Sequence, residues 1–171
     1  MHRVFLSIGG NLGDREEYLA LTREQIKLHI GEIVSQSDIY ESEPWGFSHQ
    51  RTFLNQVIEV ETPLSALCLL DICNKIENQL GRNRLKSVGE YEARTVDIDI
   101  LLFDSCIYTL PPLIVPHRHL HERMFVMEPL AQIAPKLVHP LLCQTIEELK
   151  GLCQDQSKVW KYSRSVKHVE A

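Results

Sequence analysis

Apolar and polar positions along the chain recur with two periods, near two and near 3.6, and the switches between them lay out the elements. Val4 to Ile8 reads as a strand ending in Gly9-Gly10-Asn11-Leu12-Gly13, a tight turn that glycines permit. Asp14 then caps a predicted helix with Glu16 and Glu17 in its first turn, where the helix dipole favours carboxylates. Leu19, Ile26 and Ile30 form its apolar stripe, and Gly31 stops it. A second strand is predicted over Ile33 to Tyr40, a polar loop over Glu41 to Arg51 and a third strand over Phe53 to Glu61. Thr62-Pro63 opens a second helix with the stripe Leu69, Cys73, Ile76 and Leu80, ending at Gly81. The charged stretch Arg82 to Arg94 shows no apolar period, and a last alternating strand follows it. The order βαββαβ predicts an α+β fold: a ferredoxin-like core with an antiparallel sheet and helices packed on one face. A connector from Leu110, a helix near Phe125 to Ile133 and another from Thr145 predict a C-terminal helical extension. One domain over residues 1–154 is expected, followed by a polar, loosely held tail over 155–171.

The last core strand carries the most informative chemistry. In Arg94-Thr95-Val96-Asp97-Ile98-Asp99-Ile100-Leu101-Leu102-Phe103, alternation sends Val96, Ile98, Ile100 and Leu102 to the core face and Thr95, Asp97 and Asp99 to the other. Residues i and i+2 of a strand lie about 6.6 Å apart at Cα, so the two carboxylates can converge on a divalent cation. Left bare, they would repel each other. An arginine beside a hard metal ion is a combination that binds and activates a polyphosphate. Asp-x-Asp on a solvent-facing strand is common, and alone it favours a plain wet face.

Its neighbours change that picture. Arg82, Arg84, Lys86 and Arg94 sit in the loop that feeds the acidic strand. A solvated loop is the bland reading; a triphosphate-binding lid that closes over Mg²⁺ is the functional one. The run from Pro116 to Phe125 holds His117, His119, His121, Arg118 and Arg123, without the acidic or thiolate spacing of a zinc signature. His117 and Arg123 are candidate phosphate donors, and His119 and His121 read as surface residues. The glycine turn after the first strand matches neither the dinucleotide fingerprint nor the P-loop. The segment Tyr40 to Gly46 and the strand start Phe53-Leu54-Asn55 bring aromatics near an amide. They read either as core or as a slot for a flat heterocycle, with Asn55 matching its donor and acceptor edge.

Composition narrows the classes. The 171 residues carry a net charge of −5, so the molecule as a whole is not built to coat nucleic acid. No apolar stretch approaches the roughly 20 residues of a membrane span, and the N-terminus lacks a signal-peptide core. Cys68, Cys73, Cys106, Cys143 and Cys153 contain no Cys-x-x-Cys pair and suggest reduced thiols in the cytoplasm.

Six separated blocks, in order, resemble the 6-hydroxymethyl-7,8-dihydropterin pyrophosphokinase family of folate biosynthesis. They are Ile8 to Asp14; Tyr40-x-Ser42-x-Pro44-x-Gly46; Phe53-Leu54-Asn55; Gly81-Arg82-x-Arg84; Arg94 to Leu101; and Val115-Pro116-His117, continuing through Arg123-x-Phe125-Val126 to Pro135. The resemblance implies transfer of pyrophosphate from MgATP to the pterin hydroxymethyl group, with release of AMP. It implies two Mg²⁺ ions held by Asp97 and Asp99. Arg82, Arg84 and Arg94 would handle the triphosphate as catalytic residues, joined by His117 and Arg123 on the phosphates and Glu77 near the nucleotide. Phe53 and Phe125 would sandwich the pterin, Asn55 would read its edge, and Ser42, Pro44 and Trp45 would line it. ATP and the pterin would be the partners of a monomer that binds neither nucleic acid nor membrane. The chain departs from the family at Tyr91-Glu92-Ala93, often Trp-Gly-Pro; at Gly10, commonly Ser; and at Phe53, often Tyr. The competing reading is a non-catalytic ferredoxin-like nucleotide-binding or interaction module. An RNA-binding sheet fits poorly with the acidic balance.

Overall fold

In a computed structural model that describes residues 1–45, 51–81 and 95–164, strand β1 (His2–Gly10) is flanked by antiparallel partners on both sides. That interior position explains why Val4 to Ile8 are all buried. One neighbour is β4 (Phe53–Thr62) and the other is β5 (Asp97–Phe103). Beyond β4 lie β2 (Glu32–Gln36) and β3 (Tyr40–Ser42), and β6 (Val159–Lys161) adds to β3. The described residues thus form a six-stranded antiparallel sheet with four α-helices.

Helix α1 (Arg15–His29) begins as its sequence requires, with the Asp14 side chain accepting from the Glu17 N–H. Its buried residues Leu19 and Ile26 pack with Leu69, Cys73 and Ile76 of α2 (Ala66–Gln79) over Leu6, Ile8, Ile58 and Ile98. Helices α3 (Met124–Ile133) and α4 (Ile146–Leu152) pack Val126, Met127, Leu130 and Leu149 over Phe5, Val57, Leu101 and Leu102. The core helices α1 and α2 thus share one face of the sheet, and α3 and α4 cover the other. Thr145 opens α4 with a capping box closed by Glu148.

Four sequence expectations need correction. The strand read over Ile33 to Tyr40 is two strands, parted where Ser37 takes over the pairing. Ser37 donates its N–H to the Val57 carbonyl, while its hydroxyl accepts from Val57 N–H. Helix α2 starts after Ser65, not at Thr62-Pro63. Thr62 is the last residue of β4, and its hydroxyl donates to the Ile30 carbonyl. Leu102 belongs to the α3 face, because Leu101 is an extra residue in the β1–β5 ladder: Leu6 pairs with Ile100 but Phe5 with Leu102. The segment after Asp155 is not loosely held as far as Arg164: β6 pairs with β3, and Tyr162 packs against the α1–α2 core.

Gly31 has a packing reason beyond stopping α1. A Cβ there would stand 2.0 Å from the Glu61 carbonyl oxygen, so only glycine lets the turn pass β4. Gly31→Ala is expected to lower stability by about 1–3 kcal/mol, read from the urea midpoint.

His139, 3 % exposed, accepts the N–H groups of Leu141 and Leu142 at Nδ1 and so caps the turn before α4. Burial, and then the neighbouring His121, hold its pKa below the ordinary 6.5. As pH falls through that value the unfolded chain takes up a proton that the native state resists, so stability falls on acidification. Urea midpoints should be lower at about pH 5 than at pH 7, and His139→Asn should flatten part of that slope.

Candidate functional site

The leading strand of the site is β5, which forms one edge of the sheet. Alternation turns Ile98 and Ile100 into the α1–α2 core and leaves Asp97 and Asp99 on the opposite face. Opposite them on β1 stand Gly9 and Ser7, small residues that leave the carboxylates room. A cleft of about 410 Å³ surrounds the pair, lined by Asn74 and Glu77 of α2 and by His117, His119 and Arg123 of the segment leading into α3.

Charges here are arranged in close contact. Arg123 Nη1 lies 3.7 Å from one Asp99 oxygen and His117 Nε2 lies 3.8 Å from the other. Arg123 is only 6 % exposed, and its guanidinium lies 4.5 Å from the Trp45 ring centroid and 5.7 Å from that of Phe125. Aromatic faces and a carboxylate thus hold a charge that burial would otherwise disfavour. Burial, helped by the nearby Arg123 and His119, lowers the His117 pKa to about 4. His117 is therefore neutral near pH 7 and offers hydrogen bonds rather than charge.

Glu77 has a backbone partner. It is 1 % exposed, and its Oε1 accepts the Ile98 N–H at 2.8 Å, on the open edge of β5 between the two aspartates. A carboxylate on α2 thus braces the strand that carries the acidic pair. The same group, with Asp99, adds to the burial that pushes the Cys73 thiol far up, so this cysteine is inert packing.

A second group of residues lies toward β3 and β4. Asn55 and Phe53 share the β4 face of Val57, and Asn55 pairs across the ladder with Gly9. The Asn55 amide donates to the Ser42 hydroxyl at 2.8 Å. A Cβ on Gly9 would lie 2.5 Å from Asn55 Oδ1, so glycine there lets the carboxamide rest across β1. Trp45 reaches over to Arg123 and leans against His119, the rings tilted by 48° with centroids 5.6 Å apart. Trp45 and Arg123 therefore connect the aromatic-amide group to the acidic pair.

Among the sequence candidates, the structure brings Glu77, Asp97, Asp99, His117 and Arg123 into one cleft, with Trp45 and Phe125 against Arg123. Ser42 and Asn55 form the hydrogen-bonded pair beside it, and Pro44 lies in the turn between Ser42 and Trp45. Arg82, Arg84 and Arg94, with Gly46 and Tyr91-Glu92-Ala93, lie outside the described residues. Sequence reading set His119 aside as a surface residue, yet it lines the cleft; the density of histidines around it was the available signal. Leu70, Asn74 and Leu113 also line the cleft, and no motif marks them.

A model of the 7,8-dihydro-6-hydroxymethylpterin-pyrophosphokinase (HPPK) family matches residues 5–135. The chain belongs to this family. It is a pyrophosphokinase of folate biosynthesis. It is 39% identical over 167 residues to the 2-amino-4-hydroxy-6-hydroxymethyldihydropteridine pyrophosphokinase of Bacillus subtilis (strain 168), covering 95% of this chain and 93% of that one. The protein of the same name from Aquifex aeolicus is 37% identical over 150 residues, covering 88% and 91%. The folic acid synthesis protein fol1 of Schizosaccharomyces pombe is 37% identical over 146 residues, which are 85% of this chain but 20% of that protein. Among solved structures, wild-type Plasmodium falciparum HPPK-DHPS with STZ-DHP superposes with a TM-score of 0.72 at 15% identity, covering 88% of this chain and 43% of that one. At that identity the likeness speaks for the fold, a mixed α/β arrangement on an antiparallel sheet.

The brace at Ile98 yields a test. Glu77→Ala should speed hydrogen exchange at the Ile98 amide and cost about 1–3 kcal/mol of stability, whereas Glu77→Gln, which keeps an acceptor, should preserve most of that protection.

Proposed function

We propose that Asp97 and Asp99 hold the magnesium of MgATP while this pyrophosphokinase transfers the β,γ-pyrophosphoryl group to the hydroxymethyl oxygen of 6-hydroxymethyl-7,8-dihydropterin, releasing AMP. The observation that carries this reading is the Asp97–Asp99 pair facing a cleft that also holds Arg123 and His117. The donor set fits Mg²⁺. No group of three acidic, histidine or cysteine side chains forms a fuller metal cage among the described residues. Mg²⁺ keeps several waters and is commonly held by one or two carboxylates together with substrate phosphates. When bound, two such ions would neutralise phosphate charge and polarise the phosphorus under attack.

The chain's own residues do the rest. Arg123, fixed by Trp45 and Phe125, is released from Asp99 to a phosphate oxygen, and neutral His117 donates a hydrogen bond to another. Arg82, Arg84 and Arg94 complete the triphosphate site and stabilise the charge that builds during transfer. Glu77 supports the nucleotide side of the cleft through β5. Phe53 and Phe125 stack on the two faces of the pterin, and Asn55 reads its edge. Ser42, Pro44 and Trp45 close the slot. The hydroxymethyl oxygen attacks the β-phosphorus, the bond from that phosphorus to the oxygen shared with the α-phosphate breaks to leave AMP, and the hydroxyl proton passes to solvent water.

The strand sequence β5-β1-β4-β2 supports a ferredoxin-like core, with α3 and α4 as its C-terminal extension. The reading includes a single domain over residues 1–154 with 155–171 appended, a monomer, and a cytoplasmic setting. No helix among the described residues is long and apolar enough to cross a membrane.

Purified protein with ATP, Mg²⁺ and 6-hydroxymethyl-7,8-dihydropterin should form AMP only when the pterin is present. Asp97→Asn and Asp99→Asn should each lower turnover by about a hundredfold or more. ADP as product would refute pyrophosphoryl transfer, and bound but unreacted ATP would favour the non-catalytic module.

A further inference from the structure

The segment after α4 lies beyond residues 5–135 matched by the family model, yet it touches both walls of the proposed pterin slot. On one wall, the cap position of α3 is Arg123, whose side chain caps nothing. The first-turn N–H of Met124 is instead satisfied from 31 residues away, by Asp155 Oδ2 at 2.8 Å. The other carboxylate oxygen of Asp155 accepts from Ser157, by its N–H at 2.9 Å and by its hydroxyl. Burial acts most strongly on this carboxyl and pushes its pKa up, but the bonds from Ser157 and Met124 outweigh it and hold the group below the usual range. The carboxylate is thus ionised at neutral pH, facing the positive end of a helix dipole.

On the other wall, the chain runs directly from Ser157 into contacts with β3 and the turn after it. Glu43 donates its N–H to the Lys158 carbonyl, and Lys158 returns its N–H to Glu43 Oε2, each at 3.3 Å. Ser42 then pairs with Val159, Glu41 with Trp160 and Tyr40 with Lys161. The Trp160 indole donates to Glu41 Oε2 at 3.2 Å, and Tyr162 N–H bonds to the Ile39 carbonyl. Eight residues therefore join the start of α3, which carries Arg123 and Phe125, to the strand that ends at Ser42 and leads to Trp45.

The geometry points to Asp155 as a positioning residue for the pterin. It anchors the first turn of α3 so that Phe125 and Arg123 stand at a set separation from Ser42 and Trp45. The inference rests on the proposed reading of that slot. Asp155 touches neither substrate in this arrangement; it acts through Met124 and through Ser157–Lys158. Its loss should therefore weaken pterin binding more than ATP binding: both sides of the pterin slot depend on the segment, through Phe125 and through Ser42 and Trp45, whereas among the proposed ATP contacts it positions Arg123 but braces neither the acidic pair on β5 nor Glu77 on α2.

AMP formation by the full chain, with each substrate varied in turn, tests this in wild type, Asp155→Ala and Asp155→Asn, each checked by thermal melting. Asp155→Ala should raise KM for the pterin about tenfold and leave KM for ATP within about twofold, the scale of one charge-assisted hydrogen bond lost. Asp155→Asn keeps an acceptor for Met124 N–H and should recover most of the pterin KM. Equal rises in both KM values, a lower melting point with unchanged KM, or an Asn variant no better than Ala would each overturn the assignment. If Asp155→Ala does not fold, Asp155→Glu, whose extra methylene moves the carboxylate off the Met124 N–H, takes its place: an unchanged pterin KM in that variant overturns the assignment, and a raised one beside a normal ATP KM supports it. Wild type without pterin-dependent AMP would refute the reading of the site itself, which separates that failure from a failure of Asp155.

Discussion

One extra residue in the β1–β5 ladder, Leu101, partitions the face of the sheet on which the site is built. Before it, the alternation of β5 presents Asp97 and Asp99 opposite Gly9 and Ser7. After it, Leu101 and Leu102 both turn to the same face and join Phe5 and Val57 under α3 and α4. A regular strand would have put Leu102 on the α1–α2 side and carried the polar alternation further along. The bulge therefore sets a polar half, which carries Asp97 and Asp99, beside an apolar half, which anchors a helix. Helix α3 begins at that border, and so Arg123, the residue before its first turn, can reach Asp99 at 3.7 Å while Val126 and Met127 sink into the core.

The electrostatics follow from that placement. A carboxylate pair at a sheet edge repels itself, and the protein offsets this with Arg123. Glu77 is buried close by, but its carboxylate is occupied by the Ile98 N–H, a backbone donor that an edge strand would otherwise leave open. His117 is kept uncharged by burial and by Arg123. Under the proposed reading, the described part of the site would exchange one internal partner, the Arg123–Asp99 contact, for external ones: a cation for the carboxylates and a phosphate for the guanidinium. Such an exchange lets binding use groups that are already desolvated and oriented, which limits the ordering cost of the complex.

Sequence made the period-two strands, the Asp14-capped helix, the acidic pair and the family blocks legible, because each depends on local spacing. What it hid depends on tertiary partners. The Leu101 bulge is invisible in an unbroken apolar run, Ser37 splits a strand only because Val57 bonds to it, and Thr62-Pro63 resembles a helix start until Thr62 is seen bonding to Ile30. Glu77 could be placed near the nucleotide by resemblance, but its bond to Ile98 required the packing of α2 against β5. His119 reads as a surface residue in the sequence, and its ring partner, Trp45, comes from across the fold.

The polar segment after α4 illustrates the same limit in a sharper form. Gln154 to Lys158 has no apolar period, so a pattern reading assigns it no role, and burial would not rescue that reading, since much of it is exposed. Its contacts are instead hydrogen bonds to groups that secondary structure leaves unsatisfied: the N–H of Met124 at a helix start and the outer edge of β3. Unsatisfied backbone groups at helix ends and sheet edges are costly wherever water is restricted, so a remote segment that meets them gains a defined place without contributing to the core. A slot assembled from two such ends, Phe125 at a helix start and Ser42 at a strand end, depends on whatever joins them. In this chain that joining starts from Asp155, Ser157 and Lys158, polar residues that hand the chain on to β6.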